Sequence, residues 1–422
     1  MKKILKAFSL LVISLFTLSI FGWMVFHISE GDKEFGFLTK PVKFMYTFPD
    51  LFARSVEEVK SLPETFIPTP ANFEPVNNLD SDFIVLTSYS DKNDTRSIVL
   101  LNLMNDSVLY QWNVENPHQV HDRIKNPLLF PDKNLVYSFA RKGLRRIDSL
   151  GNVIWKQDTV WAHHAMELDS SGNIWTCSYE PVYYPTGLYK LNGKSYFFMD
   201  NHITRIDPET GEILFHKSIT NILTENNLSN YLLKSANIWD PIHHNDVEPA
   251  LKTTKYYNEG DVFLSFRHPS LVLHYRPETN KVLRVIEGPF ISQHDVDFLN
   301  DSTLVIFNNN FYTIGKDYYR EPPKDSGRLE YAGDFYSNIV QYDLSSDSFS
   351  FIGDSIFRAN EIFTYTEGLM EFVDLHTFFV EEQNTGIQWI LNEDSVIYKN
   401  VFQSQHEGYH HLSNWTRIID YE

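Results

Sequence analysis

The chain has 422 residues, 42% of them hydrophobic and 15% aromatic, which is enough apolar material for one large core or two ordinary ones. A formal net charge of -19 argues against nucleic acid as a partner, because phosphate would be repelled. The single cysteine, Cys177, excludes an intrachain disulfide and any CxxC redox or zinc motif.

Lys2, Lys3 and Lys6 precede an uncharged apolar run from Ala7 to Phe26. A run of that length predicts one helix able to cross about 30 Å of hydrocarbon. Positive charge before it holds the N-terminus inside and sends the rest of the chain outside. Residues 1–27 therefore read as a signal anchor, a single pass of the inner membrane of a bacterium with the remainder in the periplasm. A cleaved signal peptide competes with this, but its apolar core is usually shorter, and no small-x-small site follows in Trp23-Met24-Val25-Phe26-His27. Residues 28–80 carry Pro41, Pro49, Pro63, Pro68, Pro70 and Pro75 and predict a linker packing on the following domain. Within it Asp50, Leu51, Phe52, Val56 and Val59 fit one short capped amphipathic helix.

Residues 81–422 repeat a theme. Leu144–Trp155 (LRRIDSLGNVIW), Ile203–Phe215 (ITRIDPETGEILF) and Val272–Leu283 (VLHYRPETNKVL) are copies of one hairpin, with a fainter copy over Ile339–Leu344. Ala165–Thr176 (AMELDSSGNIWT) and Val296–Phe307 (VDFLNDSTLVIF) are copies of another. Both alternate, turn on Asp, Pro, Gly or Asn, and alternate again. Two hairpins make a four-stranded unit, and units repeating at tens of residues predict an all-β propeller, because one blade cannot bury both its faces. Units begin near 82, 127, 163, 243, 294 and 365, which predicts six blades. A β-sandwich with an appended domain is the competing fold.

Histidines recur at equivalent points of the repeat: His163-His164, His243-His244-Asn245-Asp246, and Gln293-His294-Asp295. Equivalent positions in successive blades converge on the central channel, so three segments can place imidazoles around one cavity. Arg267 follows the strand-like Val262–Phe266 and brings a fixed positive charge to the same place, while strand alternation puts His268 on the opposite face. The acidic residues of the chain are expected mostly on the outer rim.

These segments resemble the bacterial aryl-sulfate sulfotransferase family. The resemblance runs from about Trp161 to Phe307. DPIHHNDVEPA (240–250), GDVFLSFRHPS (260–270) and the QHD-containing stretch 282–310 are its most specific parts, and it weakens over 336–344 and 412–418. It implies a six-bladed propeller that moves a sulfuryl group from a phenolic sulfate ester to a phenol through a sulfohistidine, with no nucleotide, metal or other cofactor. Carried onto this chain, it implies His294 as nucleophile, His243 and Arg267 holding the anion, and His164 as acid/base, with the labels of His164 and His243 exchangeable. It also implies a substrate contact from His163, and from Asn245 either a contact with a sulfuryl oxygen or the orientation of the acid/base histidine, and leaves open which of His163 and His164 faces the channel. Two other classes compete: a non-catalytic extracytoplasmic propeller that binds partners, and a metal-binding propeller in which the channel imidazoles, or His406 with His410 and His411, are ligands.

Overall fold

The computed structural model describes residues 2–30, 35–46, 48, 62, 65–90, 96–114, 123–139, 142–182, 185–235, 237–311, 336–413 and 415–419. The chain forms two compact units, Met1–Pro63 and Glu64–Glu422. The helix expected over 50–60 lies outside the described residues.

In the first unit one α-helix spans Lys2–Glu30. Its stretch Leu5–Ile28 has a mean hydropathy of 2.1 and is long and apolar enough to cross a membrane. The hydroxyls of Ser9, Thr17 and Ser19 each donate to a carbonyl four residues back at 2.9 Å, so these polar groups need no water.

The second unit is all-β with short helices in its connections. Three sheets have four antiparallel strands each, one has five and one has seven. The seven-stranded sheet turns on one long strand, Val153–Leu168. Its first part pairs with Lys142–Ile147 and its second part with Ile174–Tyr179. First strands of successive four-stranded sets lie against one another. Among the described residues six hydrophobic clusters each join two successive sets, from Ile84 with Ile124 through Phe307 with Phe378, and back to the start through Val85 with Leu369. The last strand, Arg417–Ile418, pairs with Leu86 and Val85 of the first set and closes the ring. This is a β-propeller. Segments before it join its rim: Phe66–Pro68 pairs with Tyr409–His411, and Val76–Asn77 with Lys399 and Tyr398.

The strand pattern follows from this packing. Val262–Phe266 is buried at every position, because a middle strand is covered on both faces by neighbouring sheets. Outer strands such as Lys281–Ile286 alternate between exposed and covered positions. The repeated turn is also local chemistry. Asp148 Oδ1 accepts from the N–H groups of Leu150 and Asn152, both at 2.8 Å, and Asp169 does the same for Ser171 and Asn173. Gly151 between them has φ 87°, and a Cβ there would lie 2.5 Å from the Asn113 carbonyl oxygen.

Candidate active site

Four of the innermost strands carry a bulge at the same level. Pairing is interrupted after Lys125, around His164-Ala165, at Asn245 and at Asp295. A bulge re-aims side chains at the rim of a sheet. His164, His243 and Asp295 have φ of 56°, 49° and 53°, a left-handed conformation that costs about 1–3 kcal/mol each unless the surroundings impose it. The repeat thus delivers Lys125, His163-His164, His243-His244 and His294 to one level.

There Lys125, His163, His164, His243 and His294 line a cavity of about 350 Å³ together with Arg267, Asp240, Tyr179 and Glu367, whereas His244 does not line it and is buried with its Nδ1 3.2 Å from the His202 carbonyl oxygen. The His164 ring lies 5.1 Å from that of His243 and 5.9 Å from that of His294. Both His163 and His164 line the cavity, joined by a 2.8 Å contact between their Nδ1 atoms, and His163 stacks on Tyr179 at 4.0 Å. Burial, with the Arg267 guanidinium next, holds His294 well below the usual imidazole range. Burial and the Lys125 ammonium do the same to His164, and burial and His243 to His163. All three are neutral bases at neutral pH.

The orientation of His294 is determined by a residue that sequence reasoning missed. Asn309 Nδ2 donates to the carbonyls of Thr364 at 2.8 Å and Glu367 at 2.6 Å. Its Oδ1 is therefore an acceptor and takes the Nδ1–H of His294 at 2.6 Å. The proton of neutral His294 sits on Nδ1, and the lone pair is on Nε2. The signal was the NNN run at 308–310, read only as part of a longer match. Lys125 was also missed, although RIKNPLL (123–129) stands in register with the histidine segments.

His243 Nδ1 lies 2.6 Å from Asp240 Oδ2. Asp240 is a carboxylate: burial pushes its pKa up, but His243 and His268 outweigh that and hold it below the usual range. Asn201 Nδ2 donates to Asp240 Oδ1 at 3.0 Å and fixes the pair. Glu367 takes Lys125 at 3.2 Å and Arg123 at 3.1 Å. Burial would raise it, yet these two cations hold it at about 2.

Two sequence expectations need correction. Asn245 is fully buried and does not line the cavity; its Nδ2 donates to the Gln293 carbonyl at 2.7 Å, joining the strand of His244 to that of His294. His268 is not across the sheet: the strand ends at Phe266, alternation ends with it, and the His268 ring lies 4.8 Å from that of His243. Some carboxylates also line the channel. Beyond the bulges the same strands put Glu167, Glu248, Asp295 and Asp297 into a second cavity of about 240 Å³, with Glu371 and Arg417. Trp415 lines that cavity too, and its ring lies 5.8 Å from that of His164 in the first. One end of the channel is basic and the other acidic.

The alternative metal ligands divide. His410 uses both ring nitrogens on Thr69 Oγ1 at 3.0 Å and the Thr385 carbonyl at 2.6 Å, so it is a structural residue. Asp240, His243 and His268 bring possible ligand atoms within 4.8 Å of one another, as do Glu180, His202 and His216. Arg267, the residue after Val262–Phe266, lines the same cavity as Asp240 and His243 of the first of these sites.

The model of the family described as Arylsulfotransferase (ASST) matches residues 126–402. The chain belongs to the arylsulfotransferase family. All the cavity histidines and Arg267 lie inside the matched stretch, whereas Lys125 stands one residue before it. No curated protein matches. Among solved structures, similarity is found to a protein of unknown function from Bacteroides caccae, 12% identical over 81% of this chain and 100% of that one, with a TM-score of 0.49. The Dos1 propeller is 10% identical over 82% of this chain and 76% of that one, with a TM-score of 0.39. The WD40 β-propeller domain of Doa1 is 15% identical over 53% and 56%, with a TM-score of 0.30.

Proposed function

We propose that this arylsulfotransferase-family chain moves a sulfuryl group from a phenolic sulfate ester to a phenol, without a nucleotide, through a sulfohistidine at His294. The observation that carries this is the Asn309 bridge, which leaves Nε2 of a neutral, buried imidazole as the free lone pair in a cavity lined by Arg267 and Lys125. A neutral nucleophile suits an anionic ester, and a covalent intermediate divides one difficult displacement into two easier ones.

In the first step Nε2 bonds to sulfur, the sulfur–aryl oxygen bond breaks, and the departing phenolate takes a proton from His243. In the second the acceptor phenol returns a proton to His243, its oxygen bonds to sulfur, and the nitrogen–sulfur bond breaks. His243 suits the acid/base role better than His164, because the Asp240 carboxylate at its Nδ1 fixes the orientation of its ring. His164, kept neutral by its surroundings, joins Arg267 in holding the sulfuryl oxygens. His163 positions His164, and Asn245 positions the His294 strand. Fixed donors of this kind are each worth about 3–4 kcal/mol in the transition state.

The six interfaces between successive sets support a six-bladed count, with Val153–Leu168 shared by two blades. The apolar helix supports a single-pass anchor over residues 1–27 with the propeller, residues 81–422, in the periplasm; residues 28–80 are the proposed linker between them. The test is purified protein with 4-nitrophenyl sulfate and phenol, free of nucleotide and metal. Nitrophenol release that depends on phenol, is lost in His294→Ala, and passes through a protein carrying one added sulfuryl group is the expected result. Wild type that stays silent with a panel of phenols sinks the proposal. The Asp240–His243–His268 spacing favours one other reading, a bound cation, and metal analysis of active protein decides between them.

A further inference from the structure

The cavity is small, and large apolar side chains stand exposed on segments that join its lining residues. Tyr179, which lines it, ends a strand, and a separate two-stranded hairpin follows, Gly187–Leu191 with Lys194–Phe198. The hairpin returns to the site on its other side: the Met199 N–H donates to the Trp239 carbonyl at 2.7 Å, and Asn201 holds Asp240. The end of the hairpin is thus tied by Met199 to Trp239, the residue directly before the cavity-lining Asp240. Phe198 faces inward and is buried. Its neighbour Phe197 faces outward, 56% exposed, and pairs across the hairpin with Leu188, 49% exposed. Facing residues of an antiparallel pair share one side of the ribbon. Directly before Asp240 in the chain stand Ile238 and Trp239, 66% and 55% exposed. Four large apolar side chains left in water beside a functional cavity mark a binding surface rather than ordinary scatter.

We infer that Trp239, Ile238 and the hairpin face Phe197–Leu188 determine specificity: they hold the apolar body of the phenol, outside the cavity that takes its oxygen and the sulfuryl group. The substrate class is a phenol extended by an alkyl chain or fused rings, not a single bare ring. A cavity of about 350 Å³ is at the small end of ligand pockets, so whatever extends beyond the reacting ring lies over this rim. The inference rests on the proposed sulfuryl transfer, and its test separates the two.

The full chain is given 4-nitrophenyl sulfate and either phenol or 4-heptylphenol, and kcat/KM is compared for the two acceptors. Wild type should favour 4-heptylphenol. In Trp239→Ala, and separately in Phe197→Ser with Leu188→Ser, the ratio should fall by roughly tenfold, chiefly through KM, as expected for lost apolar contact in a specificity pocket. The hairpin double variant guards against Trp239→Ala acting by displacing Asp240. An unchanged ratio in both variants, or a wild type indifferent to the alkyl chain, overturns the inference. If wild type transfers to neither acceptor, the proposed reaction fails instead. The rim is then judged by titrating 4-heptylphenol against tryptophan fluorescence, where saturable quenching lost in Trp239→Ala upholds it and its absence in wild type sinks it.

Discussion

At the scale of single residues, the site rests on two oriented imidazoles. Asn309 decides which nitrogen of His294 is the base, so Asn309→Ala should cut kcat by about 10–100-fold with little change in KM, as loss of an orienting partner does. If His294 forms the proposed covalent intermediate, single-turnover kinetics should show the loss in that step. Burial and Arg267 hold His294 below its ordinary range, so it stays neutral as pH falls through 6.5. The acid limb of kcat/KM attributable to His294 should therefore lie below that value. Removing a neighbouring cation raises an imidazole pKa, so Arg267→Met should move this limb upward as well as slow the reaction. A pH–rate profile with an unmoved limb would show that Arg267 does not sit near His294 in the working enzyme. His243, Arg267 and His294 were legible in the sequence because each stands at a fixed point of a repeat. Glu367 was not, since it reaches the site from a loop that nothing local marks, and Asn309 stood only inside the NNN run at 308–310, whose role appears once its strand lies beside that of His294.

At the scale of elements, the repeated turn and the repeated bulge do different work. The Asp148–Asn152 turn depends on Gly151, where φ is positive and a side chain meets the Asn113 backbone. Gly151→Ala should cost about 1–3 kcal/mol of stability, read by denaturant unfolding, while leaving the distant site's kinetics alone. The strand pattern announced such turns plainly, because Asp, Gly and Asn act through their own backbone. The bulges were not legible. A bulge is a mismatch between two strands, so it exists only once the partner strand is in place. This is why Lys125 escaped notice and why Asn245, taken for a substrate contact, proves to be the bulged residue that reaches Gln293 instead. The closing strand makes a further test. Arg417 pairs with Glu167 at 2.8 Å among other carboxylates, so Arg417→Ala removes the cation from an acidic cavity and should cost about 3 kcal/mol or more. A thermal unfolding midpoint equal to that of wild type would count against its structural role.

For the whole molecule, the bipolar channel sets a pH dependence of stability. Burial raises Asp246 to about 8 and lifts Glu248, Asp295 and Asp297 well above the carboxylate range. Groups with raised folded values contribute stability that is full below the unfolded value near 4 and is lost as pH rises toward 8. The basic end acts oppositely. Burial lowers His244 to about 4 and lowers His163, His164 and His294, so stability is lost as pH falls below 6.5, where the unfolded chain takes up protons that the folded one refuses. The two trends place maximum stability at about pH 5–6.5. Unfolding midpoints measured from pH 4 to 9 should peak there, and Asp297→Asn should flatten the alkaline side. A midpoint still rising from pH 6.5 to 8 would contradict the picture.

Alternating hydrophobicity, Asx turns and their recurrence were enough to point to a propeller, because these are short-range properties repeated along one chain, while the family was legible only through the resemblance of the 240–250, 260–270 and 282–310 motifs. An apolar run of membrane-spanning length was equally plain. Only the tertiary structure decided that one strand serves two sheets, that His163 and His164 both reach the cavity, that the channel has an acidic end, and that Asn309 rather than any neighbour in sequence orients His294. Each of these depends on which strands lie side by side around the ring. Residues from separate sheets meet there through packing, which no local pattern encodes.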